Sequence, residues 1–312
     1  MKILITGSSG FIATTLIPKL ARQGHSLVGV DSLVSRSENH LVTSGECSHH
    51  IFDLNDSSTL EKLLLDIDVV FHLAAKGNVV ESLDQPLTNF HSNVTSTVSL
   101  LEAMRAAGCN RIIFASTGGA LMGNCAPPVN ELSLPRPISP YGASKLACEG
   151  YLSAYSESFN YITTSLRFGN VYGPFSSHKV GVINRWIRSA IRGEALTIFG
   201  DGNSSRDYIH VDDLTNGLLL ALARLVSSDE PRHETYHLAN HSEITLNELL
   251  AIIQQCHKPY GSLNVLYKPS RKGEVLRNFA DITLARKILG FKPTVDFPAG
   301  VESLYQWISE NE

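Results

Sequence analysis

Tyr141 and Lys145 stand four residues apart in SPYGASK, just after Pro140. On an α-helix such a pair shares one face, roughly 6 Å apart along the axis. An ammonium that close favours the phenolate, which is a base. A free tyrosine titrates near 10, so a base at neutral pH needs a fall of roughly three units, about 4 kcal/mol. A surface lysine alone does not supply that, whereas a lysine in a cleft beside a cationic cofactor does. The plain alternative is a solvated helix start, because YxxxK is a short pattern. The elements around the pair decide between the two.

The N-terminus supplies a cofactor site. KILITG is a continuous apolar run ending in glycine, as in a strand buried on both faces of a parallel sheet. GSSGFIATTLIPKLARQGH comes next, with apolar residues at helical spacing and Gly24 as its C-cap. SLVGVD then reads as a second strand closing on Asp31. Gly7, Gly10 and Ala13 fall between strand and helix at the spacing of a dinucleotide fingerprint. Gly7 permits the turn, Gly10 lets the backbone approach a pyrophosphate, and Ala13 lets helix and strand pack. The helix start offers the phosphates free N–H groups and a positive dipole end. Asp31 is placed to accept from the adenosine ribose hydroxyls and repels a 2′-phosphate, favouring NAD over NADP. Arg36 is the contrary signal. Pro18, inside the helix, predicts a kink or a late start.

Strands and helices then alternate. CSHHIFDLND reads as strand and turn, LEKLLL as helix, DVVFHLAA as strand, and NVTSTVSLLEAMRAAG as helix. NRIIFAST is a strand, YGASKLACEGYLSAYSESF a long helix, and TTSLRFGNVYG one more strand. This order specifies an α/β fold: a doubly wound parallel Rossmann sheet with right-handed crossovers. A smaller α/β substrate-binding lobe is expected beside it. The ligand lies outside the carboxyl ends of the strands. Those ends carry Gly7, Asp31, Ala74 with Ala75, Ser116 with Thr117, and Asn170. Thr117 and the helix bearing Tyr141 and Lys145 therefore converge on the cofactor.

Bulk properties narrow the classes. The chain has 312 residues, 43% of them hydrophobic, with a formal net charge of -4. That balance gives no reason to expect nucleic acid or an anionic membrane as partner. No apolar run reaches membrane-spanning length, and MKILITGSSG lacks a signal peptide's regions. Five cysteines, an odd number, fit a reducing compartment, so a cytoplasmic protein is expected. CSHH, with Cys47, His49 and His50, has no second ligand pair at zinc spacing and reads as loop or strand edge. No metal is expected.

Together, these stretches resemble the extended short-chain dehydrogenase/reductase family, the nucleotide-sugar epimerases and dehydratases. The likeness runs nearly end to end. It includes TGSSGFIA, FDLND, HLAA, NVTSTVSLLEA, STGGALMG, SPYGASK, LRFGNVYGP, IFGDGNSSRDYIHVDD and RKGEVLRNFADITLARKILGFKP. The resemblance implies that Tyr141 is the catalytic base and acid, and that Lys145 lowers its pKa and holds the nicotinamide ribose. Thr117 is implied as the hydroxyl on the reacting oxygen, with Ser116 the other candidate because the STGG loop aligns more than one way. Gly7, Gly10, Phe11 and Ile12 belong to the cofactor turn, Asp53 and Leu54 to the adenine, and Leu73, Ala74, Ala75 and Ser116 to the dinucleotide. Asn170 is implied as a diphosphate ligand, and Arg206 and Arg271 as the pair that clamps the diphosphate. Guanidinium forks suit that task, although a surface ion pair explains either arginine alone. Phe199 falls where the family packs the nucleoside base. Lys76, after HLAA, is either a substrate contact or solvated.

Family members diverge after a shared oxidation at the sugar carbon. A 4,6-dehydratase carries an Asp-Glu pair after the active-site threonine; here Gly118 and Gly119 stand there. A uronate decarboxylase carries a glutamate in the same loop, and none is present. The remaining option returns the hydride to the other face of a rotated 4-keto sugar. The expectation is an NAD-dependent 4-epimerase of a UDP-hexose, closest to the UDP-glucose type. Its alternatives are another nucleotide-sugar-modifying member, reductase or dehydratase, and a non-catalytic NAD sensor. Asn278 falls near the position that gates N-acetyl sugars. The NAD-binding domain is expected over residues 1–170 plus about 206–240, and the nucleotide-sugar lobe over about 171–205 and 241–312. The family often dimerises through two helices, here those of Val94 to Ala107 and Tyr141 to Phe159, so a homodimer is expected.

Overall fold

The computed structural model describes residues 1–32, 47–176, 179–270 and 276–311. Runs of four to seven residues form the first strands: β1 (Lys2–Thr6), β2 (Ser26–Asp31), β3 (Cys47–Ile51), β4 (Val69–His72), β5 (Arg111–Thr117) and β6 (Ile162–Phe168). They are mostly apolar in β1, β2, β4 and β5 but polar in β3 and mixed in β6. With β11 (Arg232–Leu238) they make one seven-stranded sheet in the order β11-β6-β5-β4-β1-β2-β3, every pairing parallel. The order reverses between β1 and β4, so a crevice for ligand opens at their carboxyl ends. CSHH is the edge strand β3, as its composition implied.

Helices cover both faces because each carries one apolar stripe. α1 (Phe11–Arg22), α9 (Val211–Leu225) and α11 (Thr283–Leu289) pack on one face through Leu16, Ile17, Leu214, Leu218 and Leu289. α2 (Ser57–Leu64), α5 (Ser96–Ala107) and α7 (Pro140–Phe159) pack on the other through Leu60, Leu100, Leu101, Cys148 and Leu152. The short helices α3 (Val79–Asp84) and α4 (Pro86–Phe90) and a wide turn, His91–Thr95, lead into α5, while α6 (Gly119–Met122) comes after β5. A further core joins Trp186 and Ile187 of α8 (Val182–Ile191) to Ile198 of β8 (Leu196–Phe199). Leu249 and Ile253 of α10 (Leu246–His257) and Leu304 of α12 (Phe297–Asn311) complete it.

Three sequence expectations are corrected. α1 runs unbroken from Phe11 with Pro18 inside it, so the late start does not occur. TTSLRFGNVYG is two strands: β6 ends at Phe168, and β7 (Asn170–Tyr172) pairs with β10 (Tyr208–His210) in a separate sheet. The break falls at Gly169, whose missing Cβ would lie 3.2 Å from both the Ala239 Cβ and the Asp207 carbonyl oxygen, so a side chain there would have to displace its neighbours by a few tenths of an ångström. The strand of RDYIHVDD therefore lies outside the main sheet, whereas α9, which its VDD opens, packs on that sheet and β11 joins it. The remaining pairings are β9 (Ser205–Arg206) between β12 (Ile244–Thr245) and β14 (Arg277–Asn278), and β13 (Val265–Lys268) beside β8.

Candidate active site

Three strand ends are stitched together where the sequence placed the cofactor. Gly7 has φ +69, and a Cβ there would sit 2.8 Å from the Ala74 nitrogen, so no other residue fits the turn. The Gly7 N–H donates to the Val30 carbonyl at 2.8 Å, and the Leu73 N–H to that of Thr6 at 3.2 Å. The Ala74 N–H donates to Thr6 Oγ1 at 3.2 Å. Gly10 caps α1 in extended conformation, and a Cβ on it would meet the Gly7 carbonyl at 2.7 Å. Asp31 ends β2, and its Oδ2 accepts from the Ser9 N–H at 3.0 Å, which fixes the carboxylate beside the glycine turn. Phe11 and Leu54 send their side chains into the two sheet cores, Ile12 packs partly on the first, and Ala75 is exposed. Asp53 Oδ1 accepts from the Asn55 N–H at 2.9 Å in a turn just beyond β3. A turn too tight for a Cβ, a helix N-terminus and an oriented carboxylate fit a dinucleotide's pyrophosphate and ribose.

The other half of the site hangs on the start of α7. Ser139 caps it by accepting from the Gly142 N–H at 3.1 Å, and Pro140 takes the first helical position. A Cβ on Gly142 would lie 2.1 Å from the Ala120 carbonyl oxygen, so α7 can approach the loop after β5 this closely only with glycine there. That approach brings the Thr117 hydroxyl to the side of the Tyr141 phenol, whose pKa it lowers against burial. Gly77 lies on the phenol's other side, its missing Cβ 3.8 Å from Tyr141 Oη. Tyr141 keeps partial exposure, as a cleft residue does, yet the protein packed around it pushes the phenol up to about 12.

Lys145 departs from expectation. The residue is 2% exposed, and its Nζ donates to the Ala115 carbonyl at 2.8 Å and lies 4.5 Å from the centre of the Phe114 ring. Burial lowers the ammonium to about 8. Burial is the main cause at the Tyr141 phenol, which is raised, while the strand carbonyl and the aromatic face hold the Lys145 ammonium against the sheet. His72, beneath it, is held neutral near 3 by burial and by the Lys145 charge, and bridges Thr6 and Thr97.

Strand alternation separates Ser116 from Thr117. Ser116 is buried and donates to Glu149 Oε1 at 2.6 Å, whereas Thr117 faces Tyr141. Lys76 is pinned through its backbone: its N–H donates to Asn93 Oδ1 at 2.8 Å, and its carbonyl accepts from Asn89 and Asn93 at 3.0 and 3.2 Å. Asn93 also donates to Ser144 Oγ at 3.0 Å, tying this loop to α7. Asn170 in β7 donates its side-chain amide to the Asp207 carbonyl at 3.1 Å. Arg206 sits in β9 opposite Asn278 and Ile244, its Nη1 donating to the Ser205 carbonyl at 2.7 Å. Phe199 closes β8 opposite Lys268. Arg271 lies outside the described residues, so the arginine pair is represented by Arg206 alone.

The sequence reading missed Asn93, Glu149, Arg167 and Asp207. Glu149 had a signal, since it continues the four-residue spacing of Tyr141 and Lys145. Asp207 had none: its carboxylate accepts from Asn240 and Ala280, its carbonyl from Asn170, and its N–H donates to Asn278, all distant in sequence.

Residues 3–239 match the NAD dependent epimerase/dehydratase family. The chain belongs to that family. A UDP-glucose 4-epimerase of Mycolicibacterium smegmatis is 32% identical, with 96% of each chain covered. The solved UDP-glucose 4-epimerase of Thermotoga maritima, with UDP-glucose, superposes at a TM-score of 0.91 and 32% identity over 100% of this chain and 99% of that one. The UDP-glucuronic acid 4-epimerase of Bacillus cereus, in complex with UDP-glucuronic acid and NAD, gives 0.90 and 29% over 100% of both chains. As a member of the epimerase/dehydratase family the protein is an NAD-dependent enzyme, and relatives of this kind are UDP-sugar 4-epimerases, which are isomerases. Among the described residues no helix is long and apolar enough to cross a membrane, and no group of three His, Cys, Asp or Glu side chains could hold a metal ion.

Proposed function

We propose that the protein inverts C4 of a UDP-hexose through a transient 4-keto sugar. The observation that carries this reading is the Tyr141 phenol set beside the Thr117 hydroxyl, with Gly118 and Gly119 next in the loop. A hydroxyl and a phenol aimed at one point can hold a sugar hydroxyl and move its proton, while the loop offers no carboxylate for eliminating water. The glycines leave room for a ring to turn. NAD, when bound, accepts the hydride from C4 and returns it. Tyr141 Oη takes the proton of the C4 hydroxyl in one direction and gives it back in the other, with Thr117 holding the same oxygen. A phenol held near 12 needs positive charge nearby to do this, and Lys145 is the cation on its helix face.

Gly7, Gly10 and Asp31 would hold the dinucleotide, and Asn170, Phe199, Arg206 and Arg271 the nucleoside diphosphate, in a cleft between the main sheet and the lobe of α8, α10 and α12. The same reading makes the protein a cytoplasmic homodimer joined through α5 and α7. In support, Leu87, Phe90, Tyr151 and Phe159 expose apolar surface on the nearby α4 and on α7. The test is incubation with UDP-glucose, UDP-N-acetylglucosamine and UDP-glucuronate, with NMR of the anomeric and C4 protons as the readout. Signals of the C4-inverted sugar, absent with Tyr141→Phe, are expected; no change with any of the three would end the assignment.

A further inference from the structure

Two buried charges lie behind the reacting groups and take no part in the proton transfer. Arg167 and Glu149 are 6% and 5% exposed, and Arg167 Nη2 and Nε reach the carboxylate at 2.7 and 3.1 Å. Ser116 donates to the same carboxylate at 2.6 Å. Arg167 of β6 is the register partner of Ser116 in β5 and of His237 in β11, so the row crosses three strands on one face and Glu149 of α7 closes it from above. On α7, Tyr141, Lys145 and Glu149 recur every four residues and share a stripe. Burying an ion pair gives little net stability and often none, so this one is weak evidence for a stabilising role.

The geometry points to Glu149, held by Arg167, as a positioning residue for the reaction. It anchors the end of β5 to α7 through Ser116, which sets Thr117 against Tyr141, and it supplies the anion that keeps the Lys145 ammonium charged in a dry site. This rests on the reading of Tyr141 and Lys145 given above. The remaining groups do not compete for the role. Around Lys145, burial drives His72 of β4 down and the Cys148 thiol up, leaving both neutral, and Tyr141 is a phenol. Around Glu149, burial likewise lowers His233 of β11. Against the desolvation that lowers the Lys145 pKa, Cys148 and then Glu149 raise it, and of the two Glu149 is the one bound to an arginine.

The experiment uses the full chain with NAD and the double substitution E149M/R167M, which removes both charges and leaves no unpaired ion. Two quantities are read: kcat on the turned-over UDP-sugar, and the pH titration of Lys145 tracked through its 13Cε signal in ε-13C-lysine protein, assigned with Lys145→Arg. The expected result is a folded, NAD-binding variant whose kcat falls on the order of 100-fold with KM little changed. Its Lys145 midpoint falls by about one pH unit. Ser116→Ala is expected to lower kcat several-fold without moving that midpoint. A double variant with wild-type kcat and an unmoved Lys145 titration would overturn the proposal. If the wild type itself turns over no UDP-sugar, the epimerase reading fails while the titration still decides the role of Glu149. A double variant that does not fold would hand the decision to Glu149→Gln, which keeps the shape and removes the charge: a lowered kcat with a lowered Lys145 midpoint supports the proposal, and wild-type values of both overturn it.

Discussion

Asn278 lies over Gly119: a Cβ added to Gly119 would sit 3.3 Å from Asn278 Oδ1. Asn278 is buried in β14, opposite Arg206 of β9, and Gly119 opens α6 one residue after Gly118. The two are in close contact, so β14 packs directly on the loop that follows β5. Gly119→Ala is expected to lower kcat several-fold while NAD stays bound, because the asparagine must give by a few tenths of an ångström. Removing its side chain in Gly119→Ala/Asn278→Gly should restore most of the loss, a coupling that a double-mutant cycle reads directly. Simple additivity would show that the two do not act through this contact.

On the proposed mechanism, Tyr141→Phe deletes the group that carries the C4 proton. Turnover is expected to fall by about 10³-fold or more, while NAD affinity changes little. Single-turnover kinetics measure the first and fluorescence of bound dinucleotide the second. Residual activity within tenfold of wild type would move the proton transfer to another residue.

Lys145 costs stability at neutral pH. Its folded pKa, about 8, lies below the ordinary 10.5, so burial favours the neutral form. The stability this group contributes is therefore present above pH 10.5 and is lost as pH falls through 8. Lys145→Met should raise stability at pH 7 by about 1–3 kcal/mol while abolishing turnover. The difference should shrink between pH 8 and 10.5, which denaturant titration at several pH values measures; a constant difference would assign the gain to packing.

Asp207 ties β7 to β14 and to the Asn240 and Ala280 backbones. It is 1% exposed, and burial raises its carboxyl to about 6 from 3.8. A raised folded pKa means that its contribution to stability is fully present below pH 3.8 and is lost as pH rises through 6. Asp207→Asn removes an acceptor from the Asn240 and Ala280 N–H groups, which should cost about 1–3 kcal/mol. KM for the nucleotide sugar should rise about tenfold, on the order of 1.4 kcal/mol, with NAD binding unchanged. Steady-state kinetics beside NAD titration separate the two, and a parallel loss of NAD would show a general defect.

Gly7→Ala forces a side chain into φ +69 and against the Ala74 backbone at 2.8 Å. The strain alone costs about 1–3 kcal/mol. Both the melting temperature and NAD affinity are expected to fall, the latter on the order of 100-fold, and calorimetric titration reads it. Unchanged affinity would place the pyrophosphate elsewhere.

Much of this was legible because it is local. The strand–glycine–helix run through Gly7 and Gly10, the carboxylate of Asp31 at a strand end, and the Tyr141–Lys145 stripe are patterns a few residues long. Period and turn chemistry alone determine them. Alternation of strands and helices likewise fixed the parallel sheet. The tertiary structure decided whatever depends on the phase of one element against another. Ser116 and Thr117 are equal in sequence; the rotation of α7 over β5 gives one to Glu149 and the other to Tyr141. Lys145 is drawn to the Ala115 carbonyl and the Phe114 ring, neither of which its helix spacing reveals. Glu149 and Arg167 are 18 residues apart in the chain, and Asp207 and Ala280 are 73. Such pairs meet only because buried polar groups need partners and packing brings distant segments within reach.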